Sequence, residues 1–260
     1  MGMWRFAAAS VAGTAHLKSG SPCQDACRTE MVFSADKEEL LVAVVSDGAG
    51  SASRAEIGAR LACDLFVNEV RRAFQESDGW ESLTKGFIAE WIGQFQLQIV
   101  LRASEEGLKS QDFACTLVAA VVGANRAIYF HLGDGALVES RRSEAGHYRC
   151  ASWPQQGEYA NTTYFLTDAD AASKIVTVTA DYAVDEVALL TDGLQAIVLD
   201  FRARSAHTPF FAPLFGWLRG AVSNSPAELS GPLAVYLSSE KVNARTDDDK
   251  TLILAVRSRG

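Results

Sequence analysis

Four short acidic segments hold most of the residues in this sequence that could do chemistry. Three are Asp-Gly steps that follow apolar runs, and the fourth is a cluster of aspartates that precedes one. They are Val44-Val45-Ser46-Asp47-Gly48, His131-Leu132-Gly133-Asp134-Gly135, Leu189-Leu190-Thr191-Asp192-Gly193 and Asp247-Asp248-Asp249-Lys250-Thr251. A single Asp-Gly step is an ordinary turn signal. Aspartates that recur in the same context, each at the end of an expected strand, suggest one shared site.

Carboxylates gathered at one site favour a divalent metal. Close negative charges are costly unless cations neutralise them, and hard oxygen ligands select Mg²⁺ or Mn²⁺ over sites built from His and Cys. A glycine after the ligand lets the backbone approach a metal or its waters. Two such ions ~4 Å apart can bridge a water, lower its pKa and present it to a phosphorus centre in line with the leaving oxygen. The segments therefore predict metal-assisted hydrolysis of a phosphate ester.

The composition limits the other classes of function. The chain has 260 residues, of which 48% are apolar, so it can bury a sizeable core. Acidic residues number 32 against 24 basic ones, for a net charge of −8. That balance argues against a nucleic-acid-binding face and against a polybasic membrane anchor, since both need clustered Lys and Arg. No apolar run approaches the ~20 residues that cross a membrane, so we expect neither nucleic-acid nor membrane partners.

Two features predict a cytoplasmic location. The cysteines number 5, an odd count, and are spread along the chain, which is typical of reduced thiols rather than of a disulfide framework. Residues 4–12 are only weakly apolar and include Ser10. We therefore interpret them as a first strand rather than as the apolar core of a signal peptide.

Hydrophobic periodicity orders the elements that would carry the acidic segments. The expected helices are 57–70, 80–106, 210–222 and 226–240. Ser53 and Glu56 have the spacing of a capping box before the first of them. The expected strands are 4–12, 29–34, 40–46, 115–122, 127–132, 136–139, 147–152, 162–167, 174–179, 186–191 and 251–256. Asp134 is expected in a hairpin turn between two of these strands, and residues 11–20 in a run that leads into a polar turn.

Strands and helices come in blocks rather than in alternation. Strands lead, a helix pair follows, and then come a strand-rich block, a second helix pair and a last strand. This order favours antiparallel sheets with helix pairs outside them over βαβ units. The predicted fold class is α+β: a four-layer α/β/β/α sandwich with two mostly antiparallel sheets, formed as a single domain over residues 1–260.

Six motifs along the chain also carry a family resemblance. They are Gly13-Thr14-Ala15-His16 with Cys23-Gln24-Asp25-Ala26, then Ser46-Asp47-Gly48-Ala49-Gly50-Ser51, Ala114-Cys115-Thr116, Leu132-Gly133-Asp134-Gly135, Leu190-Thr191-Asp192-Gly193-Leu194 and Asp247-Asp248-Asp249-Lys250-Thr251. In type and order they resemble the metal-dependent protein phosphatases of the type 2C (PPM) family. The resemblance spans nearly the whole chain, and the glycine-rich loop resembles a bacterial subgroup of stand-alone phosphatase domains.

The resemblance implies roles for the acidic residues. Asp47 would bridge two catalytic Mg²⁺ or Mn²⁺ ions, and the carbonyl of Gly48 would bind the second ion. Asp192 and Asp248 would hold the first ion. Asp134 would hold a third, weaker ion. The implied reaction is hydrolysis of phosphoserine or phosphothreonine esters by a metal-activated water, without a phosphoenzyme.

The resemblance also implies supporting residues. Asp25 would orient metal-bound water from behind the ligands. Gln24 precedes it where the family has an acidic residue, so one outer metal contact would be neutral. Asp248 rather than Asp249 is the expected ligand, because the family places the ligand three residues before the strand threonine, here Thr251.

The phosphate grip departs from the family pattern. In many members an Arg holds the substrate phosphate at the position of Gly20. Lys18, His16 or Arg54 could replace it, although lysine lacks the bidentate fork of arginine. Ala49 stands where some eukaryotic members have a His as a candidate general acid. Protonation of the leaving group would then fall to a metal-bound water or to His16.

The resemblance has implications for partners as well. The substrate would be a phosphorylated protein, the target of a Ser/Thr kinase, and the phosphatase would be a monomer. A mobile flap near the site would lie at about residues 154–185 and would govern substrate choice.

Other functions remain to be weighed against hydrolysis. A non-catalytic domain of the same fold could bind or sense a phosphoprotein; Gly20 and Gln24 favour this alternative, whereas the retained aspartates disfavour it. A haloacid-dehalogenase-like enzyme would need a second Asp where Ala49 stands. A nucleotide-binding loop would need a Gly-Lys-Ser/Thr step that does not follow the glycines.

Overall fold

The computed structural model describes residues 3–76, 79–155 and 163–258. Its strands are β1 (Trp4–Val11), β2 (Ala26–Phe33), β3 (Glu39–Ser46), β4 (Leu117–Val122), β5 (Ala127–Leu132), β6 (Ala136–Arg141), β7 (Arg149–Ser152), β8 (Val176–Ala180), β9 (Val184–Leu190), β10 (Leu199–Asp200), β11 (Ser205–Ala206) and β12 (Lys250–Arg257). Its helices are α1 (Thr14–Ser19), α2 (Ala55–Glu76), α3 (Gly79–Ser82), α4 (Lys85–Glu106), α5 (Ala171–Lys174), α6 (Gln195–Val198), α7 (Thr208–Gly220), α8 (Pro226–Leu237) and α9 (Glu240–Asn243).

Two five-stranded antiparallel sheets form the middle of the molecule. One has the strand order β1-β12-β9-β6-β7, and the other has the order β2-β3-β4-β5-β8. Inner strands are apolar nearly throughout because both of their faces are covered. In β3, Leu41 and Val45 pack between the sheets, whereas Val42 and Val44 pack against the outer helices. A strand with a polar side could not occupy this position.

A helix pair covers the outer face of each sheet. Helices α2 and α4 bury Phe66 and Trp91 against the sheet that contains β3. Helices α7 and α8 bury Phe211 and Leu233 against the sheet that contains β12. The layers therefore run helices, sheet, sheet, helices, and the predicted α+β four-layer sandwich is confirmed.

The chain changes sheets at the step that contains Asp134. Strand β5 pairs with β4 and β8, whereas β6 pairs with β9 and β7 in the opposite sheet. The predicted hairpin between β5 and β6 is therefore wrong, because the step is a crossover between the two layers. Turn residues are the same in both cases, and a strand buried on both faces does not reveal its sheet.

The helix predicted at 80–106 is two helices, α3 and α4. Thr84 lies between them in extended conformation, and its Oγ1 accepts the Phe87 N–H at 3.2 Å as the N-cap of α4. Leu83 is buried next to this break. The apolar stripe therefore continues through a position where the helix does not, which is why periodicity missed the break.

Three other local predictions are wrong. Helix α2 begins at Ala55, and the Ser53 hydroxyl donates to the Asp112 carboxylate at 3.0 Å, so Ser53 does not form the predicted capping box. Of the strand predicted at 162–167, residue 162 lies outside the described residues, and the remainder is loop. The run at 11–20, predicted to lead into a polar turn, contains the short helix α1. The polar composition of this run gave no helical pattern.

The helices of the described ranges include no membrane span, since none has the required length and hydropathy.

Candidate metal centre

All four acidic segments reach one cavity at one end of the sandwich, and carboxylates from three of them lie close together. Asp47 follows β3, Asp134 lies in the crossover between β5 and β6, and Asp192 opens a 3₁₀ turn after β9. Each offers a carboxylate oxygen, and these three oxygens lie within 4.8 Å of one another. We call Asp47, Asp134 and Asp192 the acidic trio. The cavity that they line has a volume of about 170 Å³.

Backbone pairing beside β4 holds Asp47 in place. The Asp47 N–H donates to Thr116 Oγ1 at 3.0 Å, and the Asp47 carbonyl accepts the Thr116 N–H at 2.8 Å. Gly48 forms an isolated β-bridge with Cys115. Thr116 is buried, and a valine of similar shape there would leave the Asp47 N–H without its acceptor. The Ala-Cys-Thr motif thus positions the loop that carries the first carboxylate.

The ends of β9 and β12 hold Asp192 where the two backbones touch. A Cβ atom on Gly193 would overlap the carbonyl oxygen of Asp249, so only glycine permits this approach. The Thr191 N–H donates to the Thr251 carbonyl at 3.3 Å, and the Thr191 hydroxyl accepts the Thr251 N–H at 3.1 Å. Glycine in this Asp-Gly step is therefore required by close packing rather than by a turn.

Asp25 lies buried behind the acidic trio. Its Oδ2 accepts hydrogen bonds from the hydroxyls of Thr191 at 2.7 Å and Thr251 at 2.8 Å. Burial raises the pKa of Asp25 to about 7, although both hydroxyl bonds act to lower it. Asp25 thus ties the strand ends β9 and β12 together behind the acidic trio.

The two aspartates directly before β12 have different surroundings. Asp248 is exposed and lines the cavity beside the acidic trio. Asp249 is buried, and its carboxylate accepts the N–H groups of Gly13 at 2.7 Å and Gln24 at 2.6 Å. Its Oδ2 also lies 2.9 Å from His16 Nδ1. Sequence reasoning missed this role of Asp249, because nothing distinguishes it from its neighbours in a run of three aspartates.

Of the candidate phosphate-binding residues His16, Lys18 and Arg54, only His16 lines the cavity in the described part of the chain. Lys18 is exposed outside it, and Arg54 Nε pairs with Glu106 at 3.0 Å instead. Gly20 ends α1 with a φ of 72°, a conformation that an arginine would adopt only with strain. The position where the family resemblance implies a phosphate-binding Arg thus has a backbone conformation that favours glycine.

All five predicted metal ligands reach the same cavity. Asp47, Gly48, Asp134, Asp192 and Asp248 line it. Two residues that sequence reasoning did not anticipate, Thr163 and Phe165, also line it. They belong to the predicted flap at 154–185, of which residues 156–162 lie outside the described residues.

Burial and mutual repulsion raise the pKa values of the whole acidic trio. The pKa of Asp47 lies well above its ordinary value, first through burial and then through the charges of Asp25 and Asp192. Burial, followed by the charge of Asp192, raises the pKa of Asp134 to about 6. Burial also raises the pKa of Asp192, and the charge of Asp248 adds to the rise. A bound cation would remove this cost of ionisation.

The donor set fits a divalent cation. Asp134 Oδ1 is buried, and no hydrogen-bond donor within the described ranges reaches it. Carboxylate oxygens are the ligands that Mg²⁺ and similar hard ions prefer, at about 2.0–2.6 Å from the ion. Oxygens within 4.8 Å of one another can therefore share such an ion.

Comparison with known proteins identifies the family. A family model described as Protein phosphatase 2C matches residues 12–234. The chain belongs to the protein phosphatase 2C family. The resemblance seen in the sequence motifs is thereby confirmed, and the acidic trio is a cluster that could bind the metal on which this family depends.

A protein of known activity resembles this 2C phosphatase closely. Serine/threonine-protein phosphatase 3 of Escherichia coli (strain K12) is 37% identical to it over 256 residues, which cover 97% of this chain and 98% of that protein.

Solved bacterial phosphatases share the fold. Serine/threonine phosphatase Stp1 from Staphylococcus aureus has a TM-score of 0.61 and 17% identity, covering 100% of this chain and 96% of its own. PppA from Pseudomonas aeruginosa has a TM-score of 0.62 and 18% identity, covering 98% of each chain. At these identities the comparison concerns architecture alone.

Proposed function

We propose that this protein hydrolyses phosphoserine and phosphothreonine esters of proteins with divalent metal ions bound at the acidic trio. The observation that carries the proposal is the convergence of Asp47, Asp134 and Asp192 within 4.8 Å in a chain of the 2C family. The 37% identity to a serine/threonine-protein phosphatase supports the same reaction.

Each ligand would have a distinct part. Asp47 would be shared between two ions, and the Gly48 carbonyl would serve the second. Asp192 and the exposed Asp248 would hold the first ion, and Asp134 a third. When bound, the ions supply positive charge that stabilises the phosphoryl group and lowers the pKa of the attacking water.

The chain's own side chains would orient the reaction. Asp25 fixes the strand ends that carry Asp192, through its two threonine hydroxyl bonds. His16, held by Asp249 Oδ2 at 2.9 Å, would donate a hydrogen bond to the substrate phosphate or a proton to the leaving oxygen. Gln24 lines the same cavity and would add a neutral contact.

Further expectations belong to the same proposal. The resident ion would be Mg²⁺ or Mn²⁺, and the substrate would be the product of a Ser/Thr kinase. The protein would be a cytoplasmic monomer with one domain over residues 1–260, and it would bind neither nucleic acid nor membrane. The non-catalytic alternative finds no support in the comparisons.

The test measures hydrolysis of p-nitrophenyl phosphate with Mn²⁺, with Mg²⁺ and with EDTA. We expect activity with metal and none with EDTA. Asp47→Asn and Asp192→Asn should each lower kcat/KM by more than about 100-fold, because losing even an outer-shell partner of a metal site costs about 10–100-fold. Asp36→Asn, in an exposed turn, is the matched control and should keep full activity.

Several outcomes would contradict the proposal. Full activity in either Asp47→Asn or Asp192→Asn would show that the reaction does not need that carboxylate. Activity in EDTA would show that it does not need a metal ion. Metal binding without turnover of any phosphoester would favour the phosphoprotein-binding alternative instead.

A further inference from the structure

A groove with an apolar floor and a basic rim runs between α7 and the segment of α8 and α9. Its volume is about 440 Å³. Phe210, Leu214 and Tyr236 contribute to the floor, and the Phe210 and Tyr236 rings lie 6.3 Å apart. We call it the α7–α9 groove. It has no part in the metal chemistry described above.

At two places, residues that line the α7–α9 groove are close in sequence to residues of the metal centre. Arg245, on its rim, precedes Asp248 by three residues. Three residues span at most about 11 Å, so these two Cα atoms cannot lie farther apart than that. On the other side, Ile197 lines the groove from α6, which directly follows the 3₁₀ turn that begins at Asp192. A peptide bound at the metals could therefore reach the groove within a few residues.

The rim is positively charged, although the protein is acidic. His207, Lys241 and Arg245 are exposed and line the groove, and no carboxylate lines it. Within the described ranges no Asp or Glu oxygen lies within 4.0 Å of Lys241 or Arg245, whereas arginines elsewhere, such as Arg71 with Glu30, are paired. The two cations on the rim are thus available for an external anion.

A phosphoprotein needs such cations near this active site. The whole chain carries −8, and no Lys or Arg lines the metal cavity in its described part. A doubly charged phosphate that approaches the acidic trio is repelled until it reaches the ions. Unpaired cations on a rim where the Arg245 Cα lies no farther than about 11 Å from the Asp248 Cα would attract acidic residues beside the phosphoresidue and offset this repulsion.

We propose that the α7–α9 groove binds the substrate segment beside the phosphoresidue and selects an acidic and an apolar side chain three to four residues away from it. Lys241 and Arg245 would pair with the acidic side chain. Phe210, Leu214 and Tyr236 would receive the apolar one. The inference rests on the proposed phosphatase function and adds to it a preferred class of substrate.

The experiment compares three phosphothreonine peptides and p-nitrophenyl phosphate. In the first peptide, Glu and Leu stand three and four residues from the phosphothreonine on both sides; in the second, Gln replaces Glu alone, and in the third, Ser replaces Leu alone. We expect the wild-type enzyme to prefer the first peptide to the second about tenfold in kcat/KM, which corresponds to about 1.4 kcal/mol, and to prefer it to the third as well. The preference should appear in KM, because the groove does not contact the reacting atoms.

Two variants test which part of the groove acts. The double variant Lys241→Glu with Arg245→Glu should abolish the preference for Glu and leave p-nitrophenyl phosphate turnover within about twofold of wild type, since a rim charge acts on encounter and salt dependence. Leu214→Ser should weaken the preference for Leu alone. The matched control, Lys37→Glu with Lys85→Glu, makes the same charge change at exposed positions outside the groove lining and should keep the preference.

The outcomes separate the two proposals. Loss of p-nitrophenyl phosphate turnover in the wild type would count against the phosphatase function itself. Equal use of the first and second peptides by an active wild type, or a preference for Glu that survives Lys241→Glu with Arg245→Glu, would overturn the groove proposal alone. A change of oligomeric state in that variant, with the peptide preference kept, would assign the groove to a contact between copies of the chain and would likewise overturn it.

Discussion

The Asp249 carboxylate joins the N-terminal loop to the metal centre. It accepts two backbone N–H groups, from Gly13 and Gln24, and contacts His16 Nδ1. A carboxylate has acceptor capacity only, so it suits a place where every neighbour is a donor. The side chain can thus set the position of His16 and Gln24 without binding an ion.

Replacing this carboxylate tests the role. Asp249→Asn keeps one acceptor oxygen but turns an NH₂ group towards a backbone donor, which should lower stability by about 1–3 kcal/mol. We expect kcat/KM to fall about 10–100-fold, the range for residues that orient a metal site. The measurement is turnover of p-nitrophenyl phosphate together with thermal unfolding. Asp247→Asn, at an exposed neighbour, should change neither, and an unaffected Asp249→Asn would refute the positioning role.

At the scale of single residues, the sequence predicted the trio but not its support. The trio could be recognised in the sequence because each of its aspartates precedes a glycine at the end of an apolar run: Asp47, Asp134 and Asp192. Asp249 was hidden because the choice between adjacent aspartates depends on the register of β12, in which Thr251 pairs with Ser10. That register is set by packing across the sheet and not by the local sequence.

The ends of β9 and β12 hold Asp192 and Asp248, the two residues proposed to bind the first ion, next to each other in the fold. Gly193 has no Cβ, and this allows the backbone of Asp249 to touch it. Any side chain at Gly193 must push these strand ends apart, because the atom in its way is backbone rather than a flexible side chain.

Gly193→Ala should therefore damage the site through the strands. We expect a lower melting temperature and a loss of kcat/KM of at least about tenfold, since small misplacements of reacting groups have large effects on rate. Gly93→Ala is the matched control, because Gly93 lies on the exposed face of α4 and a Cβ there meets open space. Alanine at this position should stabilise the helix by up to about 1 kcal/mol. If Gly193→Ala were as active as the wild type, the strand ends could separate without displacing the catalytic groups, and the prediction would be wrong.

Hydrophobic periodicity predicted which segments form strands and helices, but it did not predict which strands pair in the same sheet. The apolar runs of β3, β9 and β12 predicted buried strands, because coverage on both faces needs an apolar side chain at every position. The same property hid the crossover at Asp134, since a fully apolar strand fits either sheet. The break before α4 was hidden in the same way, because buried Leu83 continues the helical stripe.

On the scale of the whole molecule, the sandwich gathers negative charge at one end. Both sheets direct strand ends and their carboxylates to the same cavity, in a chain whose net charge is already −8. The metal-free fold must bear this repulsion in its folded state only, because the unfolded chain separates the aspartates. Gathering the carboxylates thus lowers the free energy of unfolding of the metal-free protein. A metal ion that binds only the folded state would raise it again by mass action.

The pH dependence of metal-free stability should reveal this cost at Asp134. The pKa of Asp134 is about 6 in the folded protein, whereas an unfolded Asp loses its proton near pH 4. Between these values the folded state holds the extra proton, so stability falls as pH rises from about 4 to 6 and stays lower above that, by about 1–3 kcal/mol. Asp134→Asn removes this loss, because the amide never ionises.

Unfolding in urea with EDTA, at pH 5 and pH 7.5, measures the difference between the wild type and Asp134→Asn. We expect the variant to be the more stable at pH 7.5, with a smaller advantage at pH 5. Adding Mn²⁺ at pH 7.5 should stabilise the wild type more than the variant, because the ion then binds a carboxylate that the variant lacks. A variant less stable than the wild type in EDTA at pH 7.5 would mean that hydrogen bonds to Asp134 outweigh the repulsion, and the cluster would then not need a cation for its stability.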